Sequence, residues 1–261
     1  MRPVRRRGLM RPVVLELGRC FRQTAAMSRR HFDVTPDLML RAYRAGLFPM
    51  AETRRGDRLY WLDPEQRGIL PLDRFHLPRR LRRTITSGAF EVTSDHEFAR
   101  VIACCAAPAE GREDTWINRD IERLFTALHA QGHAHSIEAR QDGVLVGGLY
   151  GVVLGGAFFG ESMFSLARDA SKVALVHLVA RLRLGGFSLL DTQFVTAHLS
   201  QFGAIEIPRD QYKQKLEQAA RIPARWICDP EAGRLADEIA SLRAEPRPRP
   251  GDEPDEDTPG T

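Results

Sequence analysis

Few side chains in this 261-residue sequence sit at spacings that could do chemistry. Gly160-Glu161-Ser162-Met163-Phe164 sets an acid beside a hydroxyl, but it lacks the closing glycine of a hydrolase nucleophile elbow. Gly147-Gly148-Leu149-Tyr150-Gly151 is glycine-rich, yet it lies inside a strand pattern and no G-x-x-x-x-G-K-[ST] loop occurs, which argues against a nucleotide site. His133 and His135 stand two apart with no acid or cysteine at ligand spacing, so they read as ordinary polar histidines and no metal is expected. Cys20, Cys104, Cys105 and Cys228 follow no ligand spacing either and read as reduced thiols. Arg79, Arg80, Arg82 and Arg83 form the densest cationic cluster, a candidate surface for a polyanion.

The elements that must position these residues can be read from pattern. Thr35 as N-cap, Pro36 at the first position and Gly46 after the last turn frame a short helix with Leu38, Met39, Ala42 and Tyr43 inward. Short strands are expected at 59–62 and 68–70, divided by Asp63-Pro64. Ser94 with Glu97 has the form of a capping box, predicting a helix through Cys104. Asn118 caps a second helix in which Ile121, Leu124, Phe125 and Leu128 recur on one face before Gly132 stops it. Strands at 136–139, 144–153 and 157–160 follow, joined by Asp142-Gly143 and Gly155-Gly156 turns. A helix over 170–184, capped by Asp169 and closed by Gly185-Gly186, leads to buried strands at 187–191 and 205–207. Strands in a row, then helix and strand in alternation, give an α+β fold: a mixed sheet with flanking helices.

The ends differ from the middle. The first thirty residues hold nine arginines against one acid, and their apolar stretch around Val13 and Leu15 is too short for a secretory signal. Residues 1–26 are expected to be a disordered basic extension or the product of a start assigned too early, with Met27 as the true start. The tail 244–261, rich in proline and acid, is expected to be disordered. Without these ends, residues 31–243 carry no net charge, so any polyanion site must come from local segregation. No apolar run approaches the ~20 residues of a membrane-spanning helix.

Seven blocks occur in order: Ala45-Gly46-Leu47-Phe48-Pro49, Thr115-Trp116-Ile117-Asn118, Gly132-His133-Ala134-His135-Ser136, Gly147-Gly148-Leu149-Tyr150-Gly151, Gly160-Glu161-Ser162-Met163-Phe164-Ser165, Ala170-Ser171-Lys172 and Leu190-Asp191-Thr192-Gln193. Together, over residues 31–222, they closely resemble the leucyl/phenylalanyl-tRNA-protein transferase family. Met50 stands where many relatives carry tryptophan. The resemblance implies a small N-terminal α/β domain over 27–75, followed by a transferase domain over 76–230 with a fold like that of GNAT acetyltransferases. It implies transfer of leucine or phenylalanine from aminoacyl-tRNA to the N-terminal arginine or lysine of acceptor proteins. The enzyme is expected to be cytoplasmic and monomeric, with no cofactor.

By the same resemblance Asp191 and Gln193 belong to the reacting centre. Two apart on one strand, they would project to one face, with Asp191 orienting the Gln193 amide and that amide receiving the incoming amine. Glu161, next to Ser162, would hold the substrate amino group, and Trp116 would pack against the terminal adenosine. Leu149, Phe158, Met163, Leu178, Leu182 and Leu190 would line the donor pocket, and Arg79, Arg80, Arg82 and Arg83 would bind tRNA. The chemistry fits, because an aminoacyl ester is already activated and an aligned amine needs no covalent intermediate. A coenzyme A-dependent acetyltransferase is disfavoured, since Phe164 to Asp169 contains no glycine and puts an acid where a pyrophosphate would lie. The alternative is a related transferase acting on N-terminal aspartate or glutamate, or on a cell-wall peptide. A non-catalytic RNA-binding module is a weaker rival.

Overall fold

Residues 34–56, 58–108 and 114–242 are described by a computed structural model of the chain. The basic extension, Cys20, Met27 and the acidic tail lie outside the described residues. Helix α1 (Pro36–Arg44) opens with the Thr35 hydroxyl accepting from the Leu38 N–H at 3.3 Å. It buries Met39, Ala42 and Tyr43, while Leu38, expected inward, is exposed. The buried stripe runs at i, i+3, i+4 from Met39, and Leu38 lies ~100° off it.

Strands β1 (Phe48–Ala51) and β2 (Leu59–Leu62) pair antiparallel as a two-stranded sheet. Then follow β3 (Gln66–Ile69), α2 (Arg79–Thr86), β4 (Glu91–Ser94), α3 (Phe98–Ala106), α4 (Arg119–Ala130), β5 (Ala134–Gln141), β6 (Val144–Leu154) and β7 (Ala157–Ser165). The chain continues with α5 (Ala170–Leu184), β8 (Leu189–Gln193), α6 (Ala197–Ser200), β9 (Ile205–Pro208), α7 (Arg209–Ala219) and α8 (Ala232–Ser241). Seven strands form the main sheet in the order β4-β5-β6-β7-β8-β3-β9. Only β7 and β8 pair in parallel, as the crossover through α5 requires, so the sheet is mixed and the α+β class is as expected. Strand β3 lies within 27–75 and yet is inserted between β8 and β9, so that segment contributes to both sheets.

Alternation along the strands builds two cores. On β7, Phe159 packs with Tyr150, Phe125 and Val101 beneath α1, α3 and α4, whereas its neighbour Phe158 packs with Leu178, Leu182 and Leu149 beneath α5. Two expected caps fail. Ser94 ends β4, its hydroxyl donating to the Ser136 carbonyl, and Glu97 precedes α3 without a side-chain cap because Arg100 and Arg140 hold it. Asp169 precedes α5 at φ +66° without capping it, because its carboxylate is taken by Lys172 and Arg80. Strand β7 also runs five residues past Gly160, which places Glu161, Ser162 and Met163 within the strand.

Candidate active site

A cavity of about 420 Å³ opens between β6, β7, β8 and the first turns of α5. Leu149, Met163, Leu175, Leu178, Leu190 and Leu199 make its apolar wall, and Phe48, Pro49, Met50 and Trp116 stand at one side. Trp116 is tied to β1 through its carbonyl, which accepts from the Ala51 N–H. Glu161, Ser162 and Gln193 also line the cavity, whereas Phe158, Leu182 and Asp191 do not. Phe158 is fully buried on the core side, its ring 5.5 Å from that of Trp226. Leu182 continues the stripe of Ser171, Leu175 and Leu178, but one ~5.4 Å turn farther along α5 it has passed the cavity end. Leu175 was legible from that same stripe, whereas Leu199 and His198 arrive from the short α6 and left no periodic signal.

The contacts of Asp191 differ from the expected one to the Gln193 side chain. Asp191 is wholly buried, and both carboxylate oxygens are held by Arg67: Nη2 donates to Oδ2 at 2.7 Å and Nε to Oδ1 at 3.0 Å. The Tyr212 hydroxyl donates to Oδ2 at 2.6 Å. Oδ1 accepts the backbone N–H of Gln193 at 2.8 Å, so the carboxylate touches the main chain of Gln193, not its side-chain amide. Leu190 and Thr192 face the cavity by alternation; Gln193 would turn away with Asp191, but its φ of +56° returns it to the cavity wall. Sequence reading missed Arg67 and Tyr212, each far from Asp191 along the chain.

Glu161 accepts a hydrogen bond from the Tyr43 hydroxyl at 2.6 Å. Burial pushes its carboxyl up to about 8, with Asp191 adding to the rise and the Tyr43 hydrogen bond and Arg67 opposing it. The residue is half-buried at the cavity wall, so water in the cavity relieves part of that push and a ligand filling it restores it. Burial and then Lys172 lower the pKa of His198, with Asp169 opposing them. Five buried side-chain polar atoms lack a hydrogen-bond partner among the described residues, and four of them, Tyr150 Oη, Thr192 Oγ1, Gln193 Nε2 and His198 Nε2, belong to lining residues.

The arginine cluster forms α2 but divides in use. Arg79 and Arg83 are exposed, Arg80 pairs with Asp169 at 3.2 Å, and Arg82 donates to the Leu242 carbonyl at 2.7 Å. His135 does have an acid beside it: Asp95, which accepts from its Nδ1 at 2.7 Å. Asp95 also accepts from the Ser136 N–H, the Trp226 indole and the Cys228 thiol, and His129 lies 3.9 Å away. Asp95, His129 and His135 are close enough to hold a metal ion, but His129 Nδ1 and both ring nitrogens of His135 already meet oxygens within hydrogen-bond reach. The cluster ties the segment around Trp226 to the sheet end.

Two family models match the chain: the leucyl/phenylalanyl-tRNA protein transferase N-terminal domain over residues 32–65, and leucyl/phenylalanyl-tRNA protein transferase over 69–217. The chain belongs to this family. Proteins named leucyl/phenylalanyl-tRNA--protein transferase are 57% identical in Rhodopseudomonas palustris (strain HaA2), covering 79% of this chain and 94% of that one, and 54% identical in Gluconobacter oxydans (strain 621H), covering 85% and 99%. The relative from Paramagnetospirillum magneticum is 61% identical over 71% of this chain and 89% of its own. Among solved structures, that of L-PGS from Bacillus licheniformis superposes at a TM-score of 0.35 with 11% identity over 69% of this chain and 65% of that one. The family matches place α1, β1 and β2 in one model and the cavity-forming β6, β7, α5 and β8 in the other. The segment holding Trp226, Cys228 and α8 follows the second match.

Proposed function

We propose that this enzyme transfers a leucyl or phenylalanyl group from aminoacyl-tRNA to the N-terminal arginine or lysine of acceptor proteins, creating a degradation signal. The observation that carries the reading is the cavity itself: an apolar wall of leucine and methionine with Glu161, Ser162 and Gln193 beside it.

The donor side chain lies against Leu149, Met163, Leu178 and Leu190, with Leu175 and Leu199 completing the wall. Trp116 at the mouth packs on the terminal adenosine, a contact worth ~1 to 3 kcal/mol per stacked base. The acceptor nitrogen attacks the ester carbonyl carbon; a C–N bond forms, the C–O bond to the tRNA ribose breaks, and the proton lost by the amine passes to the ribose oxygen. Gln193 is too weak a base to carry that proton and acts by aligning the amine. Asp191, held by Arg67 and Tyr212, works through the backbone of Gln193. Glu161 receives the donor amino group, whose positive charge favours the ionised carboxylate. Alignment of this kind supplies ~7 to 11 kcal/mol without covalent catalysis. The exposed Arg79 and Arg83 of α2 meet tRNA phosphates.

No helix of the described residues is long and apolar enough to cross a membrane. We place the enzyme in the cytoplasm as a monomer. The test is incubation of the full chain with radiolabelled leucyl-tRNA or phenylalanyl-tRNA and a model protein carrying each N-terminal residue in turn. Label should enter proteins that begin with arginine or lysine. Label entering only those that begin with aspartate or glutamate, or none at all, would overturn the proposal.

A further inference from the structure

Gln193 alone among the cavity-lining residues has a backbone in the left-handed region, at φ +56°. The N–H of Phe194 donates to the Thr192 carbonyl at 2.6 Å, which closes a three-residue turn on Gln193 in its rarer, more strained hand. A side chain in such a conformation persists only where its surroundings over-determine it. Two features do so. Opposite the turn, Gly68 has no side chain, and a Cβ there would lie 2.6 Å from the Phe194 carbonyl carbon. Behind it, Asp191 Oδ1 captures the Gln193 N–H.

Asp191 is in turn gripped from every side. Arg67 meets both its oxygens, and the guanidinium is stacked between the rings of Phe48 and Tyr212, 4.5 Å from each centroid. Its remaining nitrogen, Nη1, donates to the Gly46 carbonyl at 3.0 Å. Burial works against the guanidinium charge, but Asp191, Tyr212 and Glu161 together outweigh it, and the pKa of Arg67 is raised. A wholly buried ion pair of this kind stabilises a fold little better than apolar side chains of the same volume would. What it supplies is a fixed position, and the atom it fixes is the acceptor of the Gln193 N–H.

We propose that Arg67 and Tyr212 are positioning residues for aminoacyl transfer: by immobilising Asp191 they hold the strained turn that keeps Gln193 at the cavity wall. The inference rests on the reading of that cavity as the reacting centre. Loss of the Tyr212 hydroxyl leaves its ring on Arg67 and removes one hydrogen bond from Asp191 Oδ2, which Arg67 still holds, so the carboxylate and the turn behind it loosen without unfolding of the sheet.

The experiment uses the full chain, single-turnover transfer at saturating aminoacyl-tRNA, and measured tRNA affinity. Tyr212→Phe and Arg67→Lys should each slow transfer about ten-fold or more, as expected when a reacting group is displaced by a fraction of an ångström. Affinity for aminoacyl-tRNA should stay within about two-fold, because the tRNA contacts lie elsewhere. In a Gln193→Ala background the same Tyr212→Phe change should cost nothing further, since groups that act through one another are non-additive. Circular dichroism and a thermal melt monitor the fold, and Tyr212→Phe decides the matter even where Arg67→Lys proves unstable. An equal loss from Tyr212→Phe in both backgrounds overturns the inference, because it shows a route that bypasses Gln193. Normal rates in Tyr212→Phe beside a slow Gln193→Ala also overturn it, while leaving Gln193 at the reacting centre. A normal rate in Gln193→Ala removes that reading of Gln193 first, and the inference with it.

Discussion

Glu161→Gln should make the protein relatively more stable as the pH rises, and the sign follows from the cavity. Burial raises the carboxyl from its ordinary 4.5 to about 8, so the folded chain holds this proton more tightly than the unfolded one. Where the native state binds more protons, stability falls with pH. The loss begins near the unfolded value and is complete above about 8. Without solvent the shift would amount to roughly 5 kcal/mol at 1.36 kcal/mol per unit, an upper bound. The side chain is half-buried and the cavity admits water, which reduces the figure to roughly 1 to 2 kcal/mol. Glutamine mimics the neutral acid in shape and still accepts the Tyr43 hydroxyl, so the variant lacks this pH-dependent cost. Urea unfolding at pH 5, 7 and 9 measures it as the stability of the parent minus that of the variant, in which the contributions of other titrating groups cancel. The difference should already have begun to move against the parent at pH 5 and should be larger by pH 9. A difference that stays constant across the series would show that Glu161 ionises freely in the cavity and that the burial argument is wrong.

Gly68→Ala forces a methyl against the Phe194 backbone and should destabilise the chain by about 1 to 3 kcal/mol, read as a lower urea midpoint; an unchanged midpoint would mean that β3 can move away from the turn. Met163→Ala enlarges the cavity and should relax the leucine-to-valine preference by up to ~1 to 3 kcal/mol. Leu182→Ala, beyond the cavity, should cost ~2 to 5 kcal/mol of stability and leave the donor ratio as in the parent; a shifted ratio would put Leu182 back in the pocket. Removing the exposed Arg79 and Arg83 should flatten the salt dependence of tRNA binding, each lost phosphate contact lowering the slope by about 0.7 to 0.9. Arg82→Ala, which frees the Leu242 carbonyl, should mainly lower the melting temperature, and the reverse pattern would put the tRNA path on the other side of α2.

The fold was legible where local physics dominates. The Asn118 cap with the Ile121 stripe, the Asp142-Gly143 turn and the Gly185-Gly186 stop are short-range signals, and α4, the β5–β6 hairpin and the end of α5 lie where those signals put them. Ser94 and Asp169 misled because a capping side chain has no way to announce a competing partner: the Ser136 carbonyl for one, Lys172 and Arg80 for the other. The cavity was half legible. Leu178 and Met163 follow from resemblance, and Leu175 from helical spacing, but Phe158 was misplaced because, although it shares a core with Leu149 and Leu178, it lies farther back along β7 against Trp226, and depth along a strand leaves no local signal.

The least legible part is the one that organises the site. Arg67 precedes a glycine in a four-residue strand whose neighbours in sequence, Glu65 and Gln66, are ordinary polar residues. Nothing in that stretch marks a buried cation. It becomes one because β3 enters the main sheet between β8 and β9, directly against Asp191 and Gln193. A pair 124 positions apart is invisible to periodicity, and alternation, applied without the left-handed turn at Gln193, puts Asp191 and Gln193 on the same face. The structure separates them: Asp191 is locked in a buried ion pair away from the cavity, while Gln193 stands among the residues that line it. Glu161, on the next strand, lines the cavity instead, and burial and the nearby Asp191 push its carboxyl up. Two carboxylates close enough to influence each other thus stand in different settings, one inside an ion pair and the other at the wall of a cavity whose filling changes its surroundings.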